Sequence, residues 1–225
     1  MRAGARDLIT VATWNVRHGR PRRGFTSNRA LLAAATALDA DLLGVQEVER
    51  RVVRSRFADQ PARIRAATGS LTHCYQPARR LALTGSDGVA LCARGTVAVT
   101  RVLRWPGRVA MLARVGIDGR ELSVVTTHLQ NDEVVARPQL DDLLASVANE
   151  PRPLLLLGDL NLTSDAVRPA VEAAGFTLVD GLPTSPAWAP VNRLDHVVVD
   201  GLEVIGQRVV ALPVSDHRAV VVDLL

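Results

Sequence analysis

The stretch "LLLLGDLNLTS", residues 154–164, says most about the fold of this chain. Four successive leucines followed by Gly158 predict a short strand that is buried on both faces. Asp159 and Asn161 end that strand, although a buried carboxylate is costly unless it is paired or bound to a cation. We therefore expect this strand to end at a polar cleft, and the following segment 164–175 to form a helix bent by its proline.

Outward from this strand, Ala/Leu-rich or amphipathic segments predict further helices, and apolar β-rich runs predict further strands. Asp118–Gly119 is a typical hairpin turn, and the Pro-rich segment 182–190 predicts a loop. Helices separated by groups of strands indicate an α+β fold in which two sheets pack together with helices outside. The predicted helices are 27–40, 61–69, 137–150 and 164–175, and the predicted strands are 8–16, 41–48, 88–94, 97–104, 108–118, 121–129, 153–161, 193–200, 202–212 and 217–225.

Length and composition set the class of protein. A chain of 225 residues with 48% hydrophobic residues is expected to form one domain over residues 1–225 and to be monomeric. Its first residues do not resemble a signal peptide, and no apolar run is long enough to cross a membrane. Cys74 and Cys92 lack the spacing of a metal motif and are too few for a disulfide framework, so we expect a cytoplasmic protein with reduced thiols.

Arginine supplies every basic side chain. Residues 1–120 hold 21 Arg against 8 acidic residues, whereas residues 121–225 hold 6 Arg against 15 acidic residues. An excess of Arg suits phosphate recognition, because the guanidinium group pairs with phosphate through two hydrogen bonds. A GC-rich coding bias that replaces Lys by Arg explains the same composition, and the sequence leaves both explanations open.

Polar residues interrupt the apolar strands mainly at their ends. Taken singly, such residues are usually turn or capping groups, and we interpret His18, His73 and His196 as structural. Taken together, they indicate one cleft, because a rigid sheet can bring the ends of several strands to the same edge. Besides Asp159 and Asn161, the residues in question are Asn15, Glu47, His128, Asp195, Asp216 and His217.

These motifs, in this order, resemble the endonuclease/exonuclease/phosphatase superfamily of DNase I-like enzymes. The resemblance implies a four-layer α/β/β/α sandwich with two central, mostly antiparallel sheets and an active site at one edge. It also implies hydrolysis of a phosphate ester with Mg²⁺ or Mn²⁺ as cofactor. The matching motifs are "TWNVRHG" (13–19), "LLGVQEV" (42–48), "VVTTHL" (124–129), "LLLLGDLNLTS" (154–164), "NRLDHVVV" (192–199) and "VSDHRAVV" (214–221).

For the metal, the resemblance implies that Glu47 is the main ligand, supported by Asn15 and Asp216. Carboxylate and amide oxygens are the hard ligands that Mg²⁺ prefers. An ion held by them neutralises the charge that grows on the phosphoryl oxygens and on the leaving group.

For the substrate, the resemblance implies that His217, held by Asp195, is the catalytic histidine. Asp159 and Asn161 would position water and the phosphate or contribute to a second metal site, and His128 would contact the phosphate or the leaving group. An Asp behind an imidazole fixes its tautomer and favours its charged form. Either His217 or Asp159 can take the proton of water, and the sequence does not distinguish them.

The chain departs from the family pattern in one contact to the phosphate. Members often have an aromatic residue before the glycine that here is Gly88, but this chain has Asp87. Arg94 or another arginine could supply that contact. The loop "RHGRPRRG", residues 17–24, follows Asn15 directly, so Arg17 and Arg20 are further candidates for substrate binding, with a solvated loop as the alternative.

Several functions share this core. We expect a phosphodiesterase or phosphomonoesterase, of nuclease, phospholipid or inositol-phosphate type, with nucleic acid as one candidate partner. A catalytically silent module that binds phosphate or nucleic acid is the alternative. A serine hydrolase using Ser215, Asp216 and His217 is disfavoured, because adjacent residues cannot adopt the geometry of a catalytic triad and no GxSxG motif is present.

Overall fold

The computed structural model describes residues 8–81 and 85–225, so the interpretation of the first seven residues lies outside it. Four helices and twelve strands follow one another along the described chain. The helices are α1 (Asn28–Ala37), α2 (Gln60–Ala67), α3 (Glu133–Val147) and α4 (Ser164–Ala173). The strands are β1 (Ile9–Asn15), β2 (Leu42–Arg50), β3 (Thr72–Arg80), β4 (Ser86–Ala93), β5 (Thr96–Trp105), β6 (Arg108–Ile117), β7 (Arg120–His128), β8 (Leu154–Asp159), β9 (Thr177–Leu178), β10 (Asp195–Asp200), β11 (Val204–Val210) and β12 (Ala219–Leu224).

The strands form two six-stranded sheets. The first has the order β11-β12-β1-β2-β4-β3, and the second has the order β5-β6-β7-β8-β10-β9. Within each sheet a single neighbouring pair is parallel, β1 with β2 and β7 with β8, and the other described pairs are antiparallel. The prediction of two mostly antiparallel sheets is confirmed.

Three apolar cores separate four layers. The central core holds residues of both sheets, for example Val11 of β1 and Leu157 of β8. A second core packs α3 and α4 on the outer face of the second sheet and includes Leu140 of α3 and Leu156 of β8. A third core packs α1 and α2 on the outer face of the first sheet. The chain therefore has the predicted α/β/β/α order, in which central strands such as β8 are buried on both faces, whereas the edge strands β5 and β11 are largely exposed.

The edge strand β3 was missed by the sequence pattern. Its sequence "THCYQPARR" contains Pro77 and shows no alternation, and Pro is tolerated in a sheet mainly at an edge or a bulge. Pro77 lies at a register shift against β4, opposite Gly88. A side chain at Gly88 would place its Cβ 2.0 Å from the carbonyl oxygen of Gln76, so only glycine allows the two strands to approach this closely.

Other boundaries agree with their local signals. The predicted turn Asp118–Gly119 joins β6 to β7, and both residues have positive φ, as a two-residue hairpin turn requires. Helix α3 begins four residues earlier than predicted, because the side chain of Asp132 caps its first turn by accepting a hydrogen bond from the Val134 amide at 2.9 Å. Among the described residues, no helix is long and apolar enough to span a membrane.

Candidate functional site

The polar strand ends meet at one edge of the sandwich, and the strand register brings them there. In the second sheet, Asp159 of β8 lies between His128 of β7 and Asp195 of β10. In the first sheet, Asn15 ends β1 beside Gln46 of β2. These side chains, at the carboxyl ends of β1, β7 and β8 and at the start of β10, therefore face each other across the gap between the sheets, as the sequence predicted for one cleft.

Glu47 reaches this cleft because β2 contains a β-bulge. The register against β4 shifts between Gln46 and Val48, so Glu47 has no partner on β4. Glu47 also adopts φ 55°, a left-handed conformation that is uncommon for a residue other than glycine. Simple alternation would turn its side chain toward the helix layer, as for Val45. The bulge instead directs the carboxylate into the cleft, which is a usual function of bulges beside active sites.

Asn15 links the carboxylates of the two sheets. Its amide nitrogen donates to Glu47 Oε1 at 3.2 Å and to Asp159 Oδ2 at 2.9 Å. Its Oδ1 accepts a hydrogen bond from the Arg17 amide at 3.0 Å, which fixes the orientation of the side-chain amide. In this arrangement Asn15 positions Glu47 and Asp159, and its oxygen is already occupied by a backbone donor.

Asp159 occupies the centre of the site and is 1% exposed. Its Oδ1 accepts the Asn161 amide at 3.0 Å, and its Oδ2 lies 3.5 Å from His128 Nε2. Asn161 has a left-handed backbone, φ 52°, and its side-chain amide nitrogen donates to the Leu129 carbonyl at 2.9 Å. Asp159 thus accepts hydrogen bonds from the Asn15 side chain and from the Asn161 backbone, whereas the Asn161 side chain is held by its bond to Leu129.

His217 and Asp195 form the predicted pair. His217 Nδ1 donates to Asp195 Oδ2 at 2.8 Å, and both side chains are buried. Burial disfavours charge on His217, but Asp195 and Asp159 outweigh it and raise the pKa of the imidazole to about 10. Because Nδ1 is used by Asp195, Nε2 is the ring nitrogen left for a substrate.

The turn before β12 presents both Asp216 and His217 to the cleft. Ser215 has φ 81°, and its hydroxyl donates to the Asn15 carbonyl at 2.6 Å while accepting the His217 amide at 3.0 Å. The buried Trp14 indole donates to the His217 carbonyl at 3.3 Å. The Asp216 carboxylate lies 3.3 Å from Arg17 Nε. The strand begins at Ala219, two residues later than the predicted start at 217, so both neighbours precede it and alternation does not separate them.

The carboxylates of Glu47, Asp159 and Asp216 converge in this cleft. Burial, followed by the neighbouring Asp159 and Asp216, raises the pKa of Glu47, although the hydrogen bond from Asn15 opposes the shift. Asp159, Asp195 and His217 also offer ligand atoms within 4.8 Å of one another. A cation near Glu47 would relieve this crowding, because the opposite charge favours ionised carboxylates.

Arg108 and Arg79 line the other side of the cleft and were missed from the sequence. They surround a small cavity together with Glu47, Asp87 and His128. Arg108 Nη1 lies 3.3 Å from His128 Nδ1, and its buried Nε has no hydrogen-bond partner among the described residues. A guanidinium group only donates, so His128 Nδ1 accepts and its Nε2 carries the proton. Burial and then Arg108 keep His128 neutral, with a pKa lowered to about 3, while Asp159 opposes the shift.

Arg94 is not part of this cleft. It pairs with Asp39 at 2.5 Å and with Asp41 at 3.2 Å, beyond the end of β4 that is remote from Asp87. The expectation that Arg94 could supply the contact of the missing aromatic residue is therefore wrong, whereas Arg79 and Arg108 lie beside Asp87 in the cleft. The clue in the sequence was positional, since Arg108 opens β6 and its neighbour Val109 pairs with His128 at the end of β7.

The remaining candidates differ in their positions. Arg17 reaches the cleft through Asp216, whereas the Arg20 side chain is exposed and only its carbonyl, which accepts the Ser215 amide at 2.8 Å, touches the turn. His196 is fully buried and lies 2.8 Å from the Leu162 carbonyl, as expected of a structural histidine.

Comparison with solved structures gives the same fold at low sequence identity. An endonuclease/exonuclease/phosphatase from Beutenbergia cavernae is 20% identical with a TM-score of 0.76, covering 97% of this chain and 72% of the other. TDP2 from D. rerio, complexed with a single-strand DNA product, is 14% identical with a TM-score of 0.69, covering 98% and 100%. The mannosyl-6-phosphatase from Bacteroides thetaiotaomicron is 16% identical with a TM-score of 0.68, covering 96% and 99%.

The family assignment comes from the sequence as a whole. No curated protein sequence matches the chain with significance. Residues 12–217 match the model of the Endonuclease/Exonuclease/phosphatase family, a range that holds every residue of the cleft described above. The resemblance carried by the six motifs is thereby confirmed: the chain belongs to the Endonuclease/Exonuclease/phosphatase family.

Proposed function

We propose that this chain is a phosphoesterase that hydrolyses a phosphodiester or phosphomonoester by attack of water on phosphorus, with Mg²⁺ or Mn²⁺ as cofactor. One observation carries the proposal. The carboxylates of Glu47, Asp159 and Asp216 converge beside a His217–Asp195 pair, and cationic Arg108 faces them across the cleft. Negative groups for a cation and positive groups for an anion lie side by side, as metal-assisted phosphoryl transfer requires.

The donor set fits a hard divalent cation. Glu47 and Asp216 offer carboxylate oxygens at the partly open rim, and the raised pKa of Glu47 reflects charge crowding that a cation relieves. Asn15 would join them only if its oxygen released the Arg17 amide. The group Asp159–Asp195–His217 fits less well, because His217 Nδ1 already donates to Asp195. Bound at Glu47, the ion would supply positive charge next to the phosphoryl oxygens.

The chain's own residues would divide the remaining work. Asp159, held by Asn15 and Asn161, is placed to orient water and accept its proton. His217 would donate from Nε2 to an oxygen on which charge develops, because Asp195 accepts from Nδ1 and favours the charged ring, which carries a proton on both nitrogens. His128 Nε2 lies 3.5 Å from Asp159 Oδ2, and from there it would donate a hydrogen bond to the phosphate or to the leaving group.

Arg108 would bind the non-bridging oxygens of the phosphate. Within residues 8–81 and 85–225, its buried Nε has no hydrogen-bond partner, and its other nitrogens contact His128 and Asn131, which are not charged groups. An Arg whose charge is not matched by a contacting carboxylate is suited to receive an anion. Arg79 is less available, because it is paired with Asp87.

The proposal covers phosphate esters in general, and the class of substrate is to be found by assay. Two structural neighbours differ in this respect, since one is a complex with a single-strand DNA product and the other is a mannosyl-6-phosphatase. A panel of plasmid DNA, abasic-site duplex, RNA, sphingomyelin and inositol phosphates, each with Mg²⁺ and with Mn²⁺, separates these classes.

The direct test uses small esters. Purified protein should hydrolyse bis(p-nitrophenyl) phosphate or p-nitrophenyl phosphate with Mg²⁺ or Mn²⁺, and EDTA should abolish the reaction. Glu47→Gln removes one charge from the cleft and should lower the rate by at least ~100-fold, the size of effect that loss of an electrostatic group at a developing charge produces. Glu47→Gln should also abolish the rise in Tm that added Mg²⁺ gives the wild type, because a ligand stabilises the state that binds it.

Glu121→Gln is the matched control. Glu121 lies near the start of β7, at the end of that strand opposite His128, where it is exposed and pairs with Arg114. This variant should keep the activity and the Mg²⁺-dependent Tm of the wild type. A folded wild-type protein that hydrolyses no phosphate ester with either metal would refute the proposal.

A further inference from the structure

A cationic and aromatic surface lies beside the cleft and takes no part in the chemistry described above. We call it the arginine–phenylalanine face. It continues from one shallow depression, where Phe25 and Arg54 meet, into a second one that shares Thr26 with the first. The two depressions are lined by Phe25, Arg29, Arg54, Arg56 and Arg63, and we include in the face the exposed Phe57, which follows Arg56 directly in the chain.

The charge on this face is largely uncompensated. Within residues 8–81 and 85–225, no carboxylate lies within 4.0 Å of the guanidinium groups of Arg29, Arg56 or Arg63, and all three side chains are exposed. Arg54 alone is paired, with the buried Glu49 at 2.5 Å. The face therefore carries a net positive charge, which attracts a polyanion.

Two loops present aromatic rings among these charges. Both have the pattern Arg-x-x-Phe, "RRGF" at 22–25 and "RSRF" at 54–57. Phe25 is 94% exposed and Phe57 is 60% exposed, although an apolar ring gains nothing from contact with water. Phe57 is held outward in a left-handed conformation, φ 55°, by a hydrogen bond from its amide to the Val52 carbonyl at 2.9 Å.

The face is joined to the cleft by short backbone connections. The Ser215 amide donates to the Arg20 carbonyl at 2.8 Å, and the Ser27 amide donates to the Gly19 carbonyl at 2.9 Å. The loop 19–27 thus starts at the turn that carries Asp216 and His217 and returns at the start of α1, where the face lies. A polymer that leaves the cleft along this loop reaches Phe25 and then the exposed arginines.

We propose that the arginine–phenylalanine face binds single-stranded nucleic acid and directs the strand into the cleft. Guanidinium groups would bind the phosphates, and the two phenylalanine rings would stack on unpaired bases. Bases within a duplex are already stacked on each other. A single strand can therefore bind both the guanidinium groups and the phenylalanine rings, whereas a duplex can bind only the guanidinium groups. The proposal rests on the proposed function in one respect: it makes a single-stranded nucleic acid the phosphate-ester substrate.

Fluorescence anisotropy in EDTA measures this binding with hydrolysis switched off. The probe is labelled oligothymidine of about 20 nucleotides, longer than the ~4–16 nucleotides that a single-strand-binding fold covers. The triple variant Arg29→Gln/Arg56→Gln/Arg63→Gln loses three phosphate contacts. Each such contact with a single strand contributes ~0.7 to the slope of log affinity against log salt concentration, so the magnitude of the slope should fall by about 2. Phe25→Ala/Phe57→Ala should weaken binding by ~5- to 150-fold for each stacked base with the slope unchanged.

A matched control removes the same charge elsewhere. Arg114→Gln/Arg152→Gln/Arg208→Gln neutralises three arginines that pair with Glu121, Asp200 and Asp223, and it should retain wild-type affinity and slope. Hydrolysis of a small ester should stay at the wild-type rate in all of these variants, since none of the substituted residues lies in the cleft.

The outcomes separate the two proposals. Small-ester hydrolysis without oligothymidine binding overturns the role of the face and leaves the proposed function standing. Oligothymidine binding that the arginine and phenylalanine variants weaken, in a protein that hydrolyses no ester, supports the face as a binding surface and refutes the proposed function. The role of the face is also overturned if the wild type and the variants bind oligothymidine equally well. It is likewise overturned if the protein sediments with phosphatidylserine vesicles but does not bind oligothymidine.

Discussion

Replacing Ser215 by alanine tests how the turn before β12 is held. The Ser215 hydroxyl makes two buried hydrogen bonds, one to the Asn15 carbonyl at 2.6 Å and one from the His217 amide at 3.0 Å. Alanine leaves both backbone groups without that partner, and a buried unsatisfied polar group costs about 1–3 kcal/mol. We expect Ser215→Ala to lower the free energy of unfolding by about 2–4 kcal/mol, because the turn can relax and recover part of the loss.

Urea denaturation measures this difference, provided that the m value is unchanged. Ser146→Ala is the control, since its hydroxyl bonds only to the Leu143 carbonyl of its own helix and should contribute less than about 1 kcal/mol. Ester hydrolysis by Ser215→Ala should fall as well, because Asp216 and His217 lose their anchor to β1. A variant with wild-type stability and wild-type activity would contradict this account, and labelling of wild-type Ser215 by a fluorophosphonate would instead favour a nucleophilic serine.

Three further predictions follow from the side chains around the cleft. Arg108→Met should raise KM for a phosphate ester at least ~10-fold, since a charge-assisted bond worth about 1.5–3 kcal/mol is lost; initial-rate kinetics measure it. Arg94→Met should leave KM unchanged in the same assay, because Arg94 binds Asp39 and Asp41 away from the cleft. Burial lowers the pKa of His196 to about 4, so the unfolded state binds its proton first and stability should fall as pH drops from about 6.5 towards 4. Denaturation across this range should show a weaker pH dependence for His196→Gln than for the wild type; identical profiles would contradict the assignment.

The sequence predicted most of the fold because its apolar patterns were long. Buried runs such as 154–157 and 219–222 have one stable position, inside a sheet covered on both faces, and they were placed correctly. The strand β3 was not found, because an edge strand buries little and tolerates Pro77. Register between β3 and β4 depends on tertiary contacts such as the approach of Gln76 to Gly88, which no local pattern encodes.

The candidate site was predictable as a set of positions but not as a set of contacts. Strand ends identified Asp159 and His217, since polar residues that stop apolar strands are rare without a reason. Arg108 escaped notice, because a basic residue that opens a strand after a turn is ordinary in sequence. Its significance appears only where its buried Nε and its contact with His128 are seen.

Glu47 shows why side-chain direction lies beyond the sequence pattern. Alternation along β2 puts Val45 in the helix-side core and would send Glu47 the same way, where a carboxylate could not remain charged without a partner. The bulge between Gln46 and Val48 removes this conflict, at the cost of a left-handed backbone of order 1–2 kcal/mol. Strain of this kind persists only where the surroundings enforce it, and here the buried Gln46 and Val48 hold both sides of the bulge. The strained residue and the proposed metal ligand are therefore the same residue, because the backbone distortion is what brings its carboxylate into the cleft.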